Sequence, residues 1–189
     1  MVLRKKYLSA DRQEKGFTLV EILVAVAIFS IVVSVAIGIF VMAMKSQRKI
    51  LAQQQLLDQT SYVMEYMSRA IRMARKDLTG SCIGTNLNYL LTHSGQGIKF
   101  KNYNGICQEF YLYSDGTLFQ LKENKAGVDL ALTSPNLIVK NFIITSSGWG
   151  QDDNLQPATT MFLDIADAQN LAEIKIQTTI SQRNLDVEY

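Results

Sequence analysis

The chain has 189 residues, 48% of them apolar and 19% charged, which allows one ordinary domain or a small domain with a long appendage. Two prolines, 11 glycines and two cysteines exclude collagen, a low-complexity polymer and a disulfide-packed mini-protein. One histidine and two cysteines are too few for a usual zinc site of three or four Cys/His ligands.

The net charge of +2 conceals a strong segmentation. Residues 1–16 carry Arg4, Lys5, Lys6, Arg12 and Lys15 against Asp11 and Glu14. Residues 17–44 carry only Glu21. Residues 45–77 carry Lys45, Arg48, Lys49, Arg69, Arg72, Arg75 and Lys76 against Asp58, Glu65 and Asp77, and the remainder is mildly acidic. Four zones follow: a basic leader (1–16), an apolar rod (17–44), a basic amphipathic rod (45–78) and an acidic globule (79–189).

The apolar rod is interrupted only by Thr18, Glu21, Ser30, Ser34 and Gly38. As a helix it would be about 42 Å long, against a hydrocarbon core of about 30 Å. It is too long for a secretory signal, whose apolar stretch is about 7–15 residues. The basic leader precedes it, so the positive-inside rule predicts residues 1–16 in the cytoplasm and the bulk of the chain outside. Lys45, Arg48 and Lys49 pull the other way but are outnumbered by the leader. A carboxylate inside such a rod is costly and usually marks a functional contact. One reading of Glu21 is a carboxylate near the interface that reaches back to headgroups. The other is a carboxylate waiting for a cation. A cut between Gly16 and Phe17 would create an ammonium at Phe17, about 6 Å along a helix axis from Glu21. The ammonium of a neighbouring copy would serve equally.

Lys15-Gly16-Phe17-Thr18-Leu19-Val20-Glu21, followed by Ile22-Leu23-Val24-Ala25-Val26-Ala27-Ile28, resembles the N-terminal signature of type IV pilins and pseudopilins. The resemblance implies a prepilin peptidase cutting after Gly16, methylation of the Phe17 amine, and transfer of the freed helix from membrane lipid into a helical filament. It implies charge pairing at Glu21 during assembly, with other pilin or pseudopilin subunits and an inner-membrane assembly platform as partners. Many major pilins carry a proline midway along this helix, where this chain has Gly38. Gly weakens a helix by only about 1 kcal/mol relative to Ala, so a local melt in the filament is permitted without being enforced. The 16-residue leader is also longer than the commonest ones in the family.

Leu56, Thr60, Val63, Met67, Ile71, Ala74 and Leu78 recur at spacings of three and four, one stripe of a helix. With no Pro or Gly in 39–79, the pattern predicts one continuous helix from Phe17 to Arg75 or Lys76, about 88 Å long. That is too long for one globule, so its first half must find burial elsewhere. Arg69, Arg72, Arg75 and Lys76 form a basic end, read as a solvated face pairing with acids of the globule. No aromatic interleaving supports a nucleic-acid partner there.

Residues 81–97, rich in Gly, Asn, Ser and Thr, read as a loop. Residues 106–113, Asp115-Gly116 and 117–121 predict a hairpin with a tight type I′ turn. Residues 137–145, 159–165 and 172–181 read as further strands. Four to six antiparallel strands packing one apolar face on the helix give an α+β fold, which resembles the globular head of pilins. The ending 178–185 also resembles the terminal strand of minor pilins and minor pseudopilins.

Cys82 and Cys107, placed outside the membrane, allow either a disulfide or two free thiols. Asp152, Asp153, Asn154, Asp164 and Asp167 offer oxygen ligands but lack the alternation of a calcium loop, and read as a polar turn. Trp149 is either a core plug or an exposed adhesive aromatic. His93 reads as a surface histidine. No constellation for catalysis is present, and no cofactor or metal is expected. The whole predicts a non-enzymatic minor pilin or pseudopilin precursor, with an inner-membrane anchor and an extracytoplasmic head, serving a pilus, type II secretion or DNA uptake. The rival is an unprocessed, single-pass membrane-anchored binding protein.

Overall fold

A computed structural model of the chain describes residues 16–117, 119–148 and 155–183. The leader before Gly16, Trp149, Asp152, Asp153, Asn154 and the residues after Arg183 lie outside them. The chain divides into two compact units, Met1–Ser46 and Gln47–Tyr189.

Helix α1 runs from Leu19 to Arg72. In the first unit it is rich in Val, Ile and Ala. The Ser30 and Ser34 hydroxyls donate to the carbonyls of Val26 and Ser30, both at 2.8 Å, so these polar side chains are satisfied within the helix. This half is long and apolar enough to cross a membrane, and its most apolar window is exposed throughout among the described residues.

In the second unit the helix buries Leu56, Thr60, Val63, Met64, Met67 and Ile71. All but Met64 belong to the stripe predicted from spacing, and Ala74 of that stripe is buried just past the helix. Buried Thr60 costs little because its hydroxyl donates to the Leu56 carbonyl at 2.6 Å. Leu78 departs from the stripe and is 68% exposed. The helix stops at Arg72 rather than Arg75 or Lys76 because the chain is pulled into the sheet: the Arg75 N–H donates to the Lys101 carbonyl and the Asp77 N–H to the Leu87 carbonyl. The last helical carbonyls are not left bare. Ile71 O accepts the Tyr89 hydroxyl at 3.1 Å, and Arg72 O accepts the Arg183 N–H at 2.8 Å.

Among the described residues eight strands follow: β1 (Leu90–Thr92), β2 (Gly97–Lys101), β3 (Cys107–Ser114), β4 (Phe119–Lys125), β5 (Val128–Ala131), β6 (Leu137–Ser147), β7 (Ala158–Asp167) and β8 (Glu173–Ser181). They form two antiparallel sheets, one in the order β1-β2-β3-β4-β5 and one in the order β6-β7-β8. The fold class is α+β, as expected, but with two sheets instead of one. The short β1 lies inside the segment read as a loop, and β5 carries no alternating pattern of burial because all four of its residues are exposed.

The hairpin between β3 and β4 forms, but its turn is not type I′. Of the two central residues Gly116 has positive φ (+93°) and Asp115 does not, and the Asp115 side chain accepts the backbone N–H and hydroxyl of Thr117, both at 2.9 Å. This Asx arrangement holds a four-residue loop. The tight turn lies one hairpin later, where Ala126 and Gly127 both take positive φ, +55° and +85°, between the paired Lys125 and Val128.

The core joins the helix stripe to both sheets. Phe100 and Phe110 come from the first sheet, and Phe142, Ile144, Met161, Leu163 and Ile165 from the second, all essentially inaccessible. Each such side chain contributes roughly 1.5–3 kcal/mol by leaving water.

Candidate functional site

The N-terminal site is built by the helix start. Thr18 precedes the first helical residue, and its hydroxyl accepts the Glu21 N–H at 3.3 Å. Thr18 and Glu21 thus occupy the first and fourth positions of a capping box. Threonine is suited to this role because its side-chain oxygen replaces a missing helical acceptor. Glu21, one turn in, adds negative charge at the positive end of the helix dipole.

Glu21 itself is exposed. Together with Phe17, Ile22, Ala25, Val26 and Phe29 it lines one stripe of the helix surface. Phe17 is 77% exposed. A carboxylate thus sits within a surface that is otherwise apolar, with no cation beside it among the described residues. Gly16 and Gly38 have nothing within 4 Å of where a Cβ would stand. Among the described residues no contact requires glycine at either position.

The head contains a second polar centre that sequence spacing does not reveal. Asp77 is fully buried. One carboxylate oxygen accepts the backbone N–H groups of Cys82 (2.6 Å) and Ile83 (3.1 Å). The other accepts the Lys101 ammonium (3.0 Å) and the Thr79 hydroxyl (3.1 Å). Burial pushes the Asp77 carboxyl up, but the bonds from Cys82, Lys101, Ile83 and Thr79 outweigh it and hold the group well below the usual carboxylate range. Lys101 pairs across the ladder with Cys107, and Cys107 is joined by a disulfide to Cys82, their Cα atoms 5.5 Å apart. The carboxylate and the crosslink therefore pin the same loop.

A third polar chain links helix to sheet. The Tyr66 hydroxyl donates to Glu123 at 2.8 Å, Gln108 donates to the same oxygen at 2.6 Å, and Asn102 donates to Gln108 at 3.0 Å. Burial first, and then the Glu123 carboxylate, push the Tyr66 phenol up to about 12.

The remaining sequence candidates are dispersed. Arg69 pairs with Glu65 on its own helix at 2.5 Å, not with an acid of the sheets. His93 stacks on Tyr111 with ring centres 4.7 Å apart, and its Nδ1 lies 3.4 Å from Glu109. Asp164 faces Lys175 at 3.4 Å. Among the described residues no group of three or more His, Cys, Asp or Glu is gathered as a metal site.

Compared with known families, residues 11–44 match the prokaryotic N-terminal methylation motif. The match spans the capped helix start, Glu21 and the exposed apolar half of α1. No curated protein and no solved structure matches the chain. The chain carries the type IV pilin-family signature, which points to a pilin-like precursor and a structural subunit rather than an enzyme. Its single apolar N-terminal helix fits a membrane-anchored pilin.

Proposed function

We propose that the chain is a minor pilin or pseudopilin, made as a precursor, cut after Gly16 by a prepilin peptidase, and methylated at Phe17. The cut removes the basic leader and leaves the capped helix start at the new terminus. The helix first lies in inner-membrane lipid, with the head extracytoplasmic. It then enters a type IV pilus-like filament through an assembly platform, for pilus assembly or type II secretion. Residues 17–44 form the filament core, 45–78 the amphipathic helix and 79–189 the head.

The observation that carries this reading is the exposed first half of α1: a long apolar surface, interrupted by one carboxylate, that the described residues do not cover. Apolar surface of that extent needs lipid or sister helices, and the lone carboxylate needs a cation once it leaves water. The openness around Gly16 also supports the reading, since a glycine with no internal role suits a narrow cleft in a protease.

N-terminal mass spectrometry of the chain from its own host tests the proposal. A methylated Phe17 at the mature terminus is expected, and a bulky residue in place of Gly16 should leave the leader attached. A native chain that retains residues 1–16 would instead make it an unprocessed, membrane-anchored binding protein.

A further inference from the structure

Among the described residues the two sheets end in four edge strands, β1, β5, β6 and β8. Three of them are blunted in the ways that keep edges from pairing. β1 is only three residues long. β6 is interrupted at Lys140 by a register shift between Val139 and Asn141, and β8 carries the exposed charges Glu173 and Lys175. β5 has none of these devices. It holds no lysine and no proline, its register with β4 is unbroken, and all four of its residues are exposed, Val128 at 68% and Leu130 at 61%. Its one charge, Asp129, is turned back over its own sheet, where the carboxylate accepts the Tyr111 hydroxyl at 3.0 Å and the Asn124 amide at 2.7 Å.

The backbone of β5 is open in a defined pattern. The two-residue turn Ala126-Gly127 makes Lys125 and Val128 the closing hydrogen-bonded pair, and bonded pairs alternate along an antiparallel ladder. The Leu132 N–H on the Leu121 carbonyl, at 2.8 Å, keeps that alternation. Val128, Leu130 and Leu132 therefore direct their backbone groups to β4, and Asp129 and Ala131 direct theirs outward. Leu130 lies opposite Glu123, whose buried side chain takes the Tyr66 hydroxyl. Leu130 and Val128 thus extend the core-facing side of the sheet past its rim.

We propose that β5 is a self-pairing edge, through which two copies of the chain join antiparallel about a two-fold axis at Leu130. One register pairs the outward groups of both residues with each other: Asp129 of each copy stands opposite Ala131 of the other, and Leu130 opposite Leu130. Sliding by two residues would set Asp129 directly against Asp129, which like charges disfavour. The occupant is a second copy because the edge is complementary to itself: the same two residues supply matching donors and acceptors, and the same apolar row meets across the axis. Leu130 falls in a non-hydrogen-bonded pair, where Cα atoms approach to about 4.5 Å. The inference concerns the head and does not depend on cleavage after Gly16.

Disulfide trapping of the full chain in detergent micelles, with peptide mapping of the product, tests this. Leu130→Cys should link two copies through position 130, since that separation suits a disulfide. Val128→Cys lies on the same face, but its two copies stand four residues apart along the strands, about 13 Å, and it should yield at least about tenfold less linked dimer. Leu130→Lys, at an exposed position that tolerates the change, should weaken dimerisation in sedimentation runs by about tenfold or more. Equal yields at positions 128 and 130 would overturn the proposal, as would a link only to a different subunit when the same variants are oxidised in host membranes. So would dimerisation unchanged by Leu130→Lys, which would assign self-association to the apolar half of α1.

Discussion

Glu21 and Asp77 are both carboxylates in unusual surroundings, and they differ in whether the chain supplies a partner. Glu21 is conspicuous in the sequence because it is the one charge in the 28 residues 17–44, and no cation lies beside it among the described residues. Glu21→Val should leave processing at Gly16 intact while lowering incorporation into filaments by at least tenfold, read by immunoblot of sheared filaments against membranes. The lost pairing of a desolvated charge would account for a factor of that order. Equal incorporation would remove the assembly role. Asp77 is invisible to the same reasoning. It follows the cations Arg75 and Lys76 like an ordinary surface charge, and its partner Lys101 is 24 residues away. Because its folded pKa is depressed, its contribution to stability is fully present above the unfolded value of about 3.9 and is lost as pH falls through the folded one. Asp77→Ala should therefore destabilise the head by about 3 kcal/mol at pH 7. The gap between mutant and wild type should narrow in strong acid. A denaturation series from pH 7 to pH 2 checks both, and a gap that stays constant with pH would refute the linkage.

Helices and strands were legible wherever burial is one-sided. The stripe from Leu56 to Ile71 reads directly from spacing because one face meets the core and the other meets water. β6, β7 and β8 read for the same reason, with period two. Strand β5 is exposed along its whole length, so it leaves no periodic trace. Short β1 is lost among turn residues. The turns show why dipeptide rules mislead. Asp115-Gly116 has the favoured composition, yet the Asp115 side chain holds a longer loop, and the two positive φ angles fall on Ala126-Gly127. An alanine in the left-handed region is strained by roughly 1–2 kcal/mol, which asparagine tolerates better. Ala126→Asn should therefore raise stability by about 0.5–1 kcal/mol in urea denaturation, with the slope unchanged. A neutral or destabilising result would show that the turn relaxes around Ala126.

The division of the strands into two sheets depends on which edges pair. A single sequence offers little to decide that, since alternation fixes a strand's faces without fixing its neighbours. The long-range chemistry of the head was hidden for a related reason. Tyr66 to Glu123, Asp77 to Lys101 and Tyr89 to Ile71 join residues that only the fold brings together. The helix, the signature at its start and the general α+β class were legible because each is local or repeated.

The crosslink between Cys82 and Cys107 also has a mechanical consequence. If the two ends of the polypeptide are pulled apart, tension passes from sulfur to sulfur and bypasses the intervening residues. The crosslink spans 25 positions, worth roughly 80–90 Å of extension at about 3.3–3.6 Å per residue. In an optical trap the oxidised chain should rupture to a contour length shorter by about that amount than the thiol-reduced chain. Strands β1 and β2 lie wholly within the shielded stretch, so the oxidised head would keep part of its first sheet off the load path after the remainder has been drawn straight.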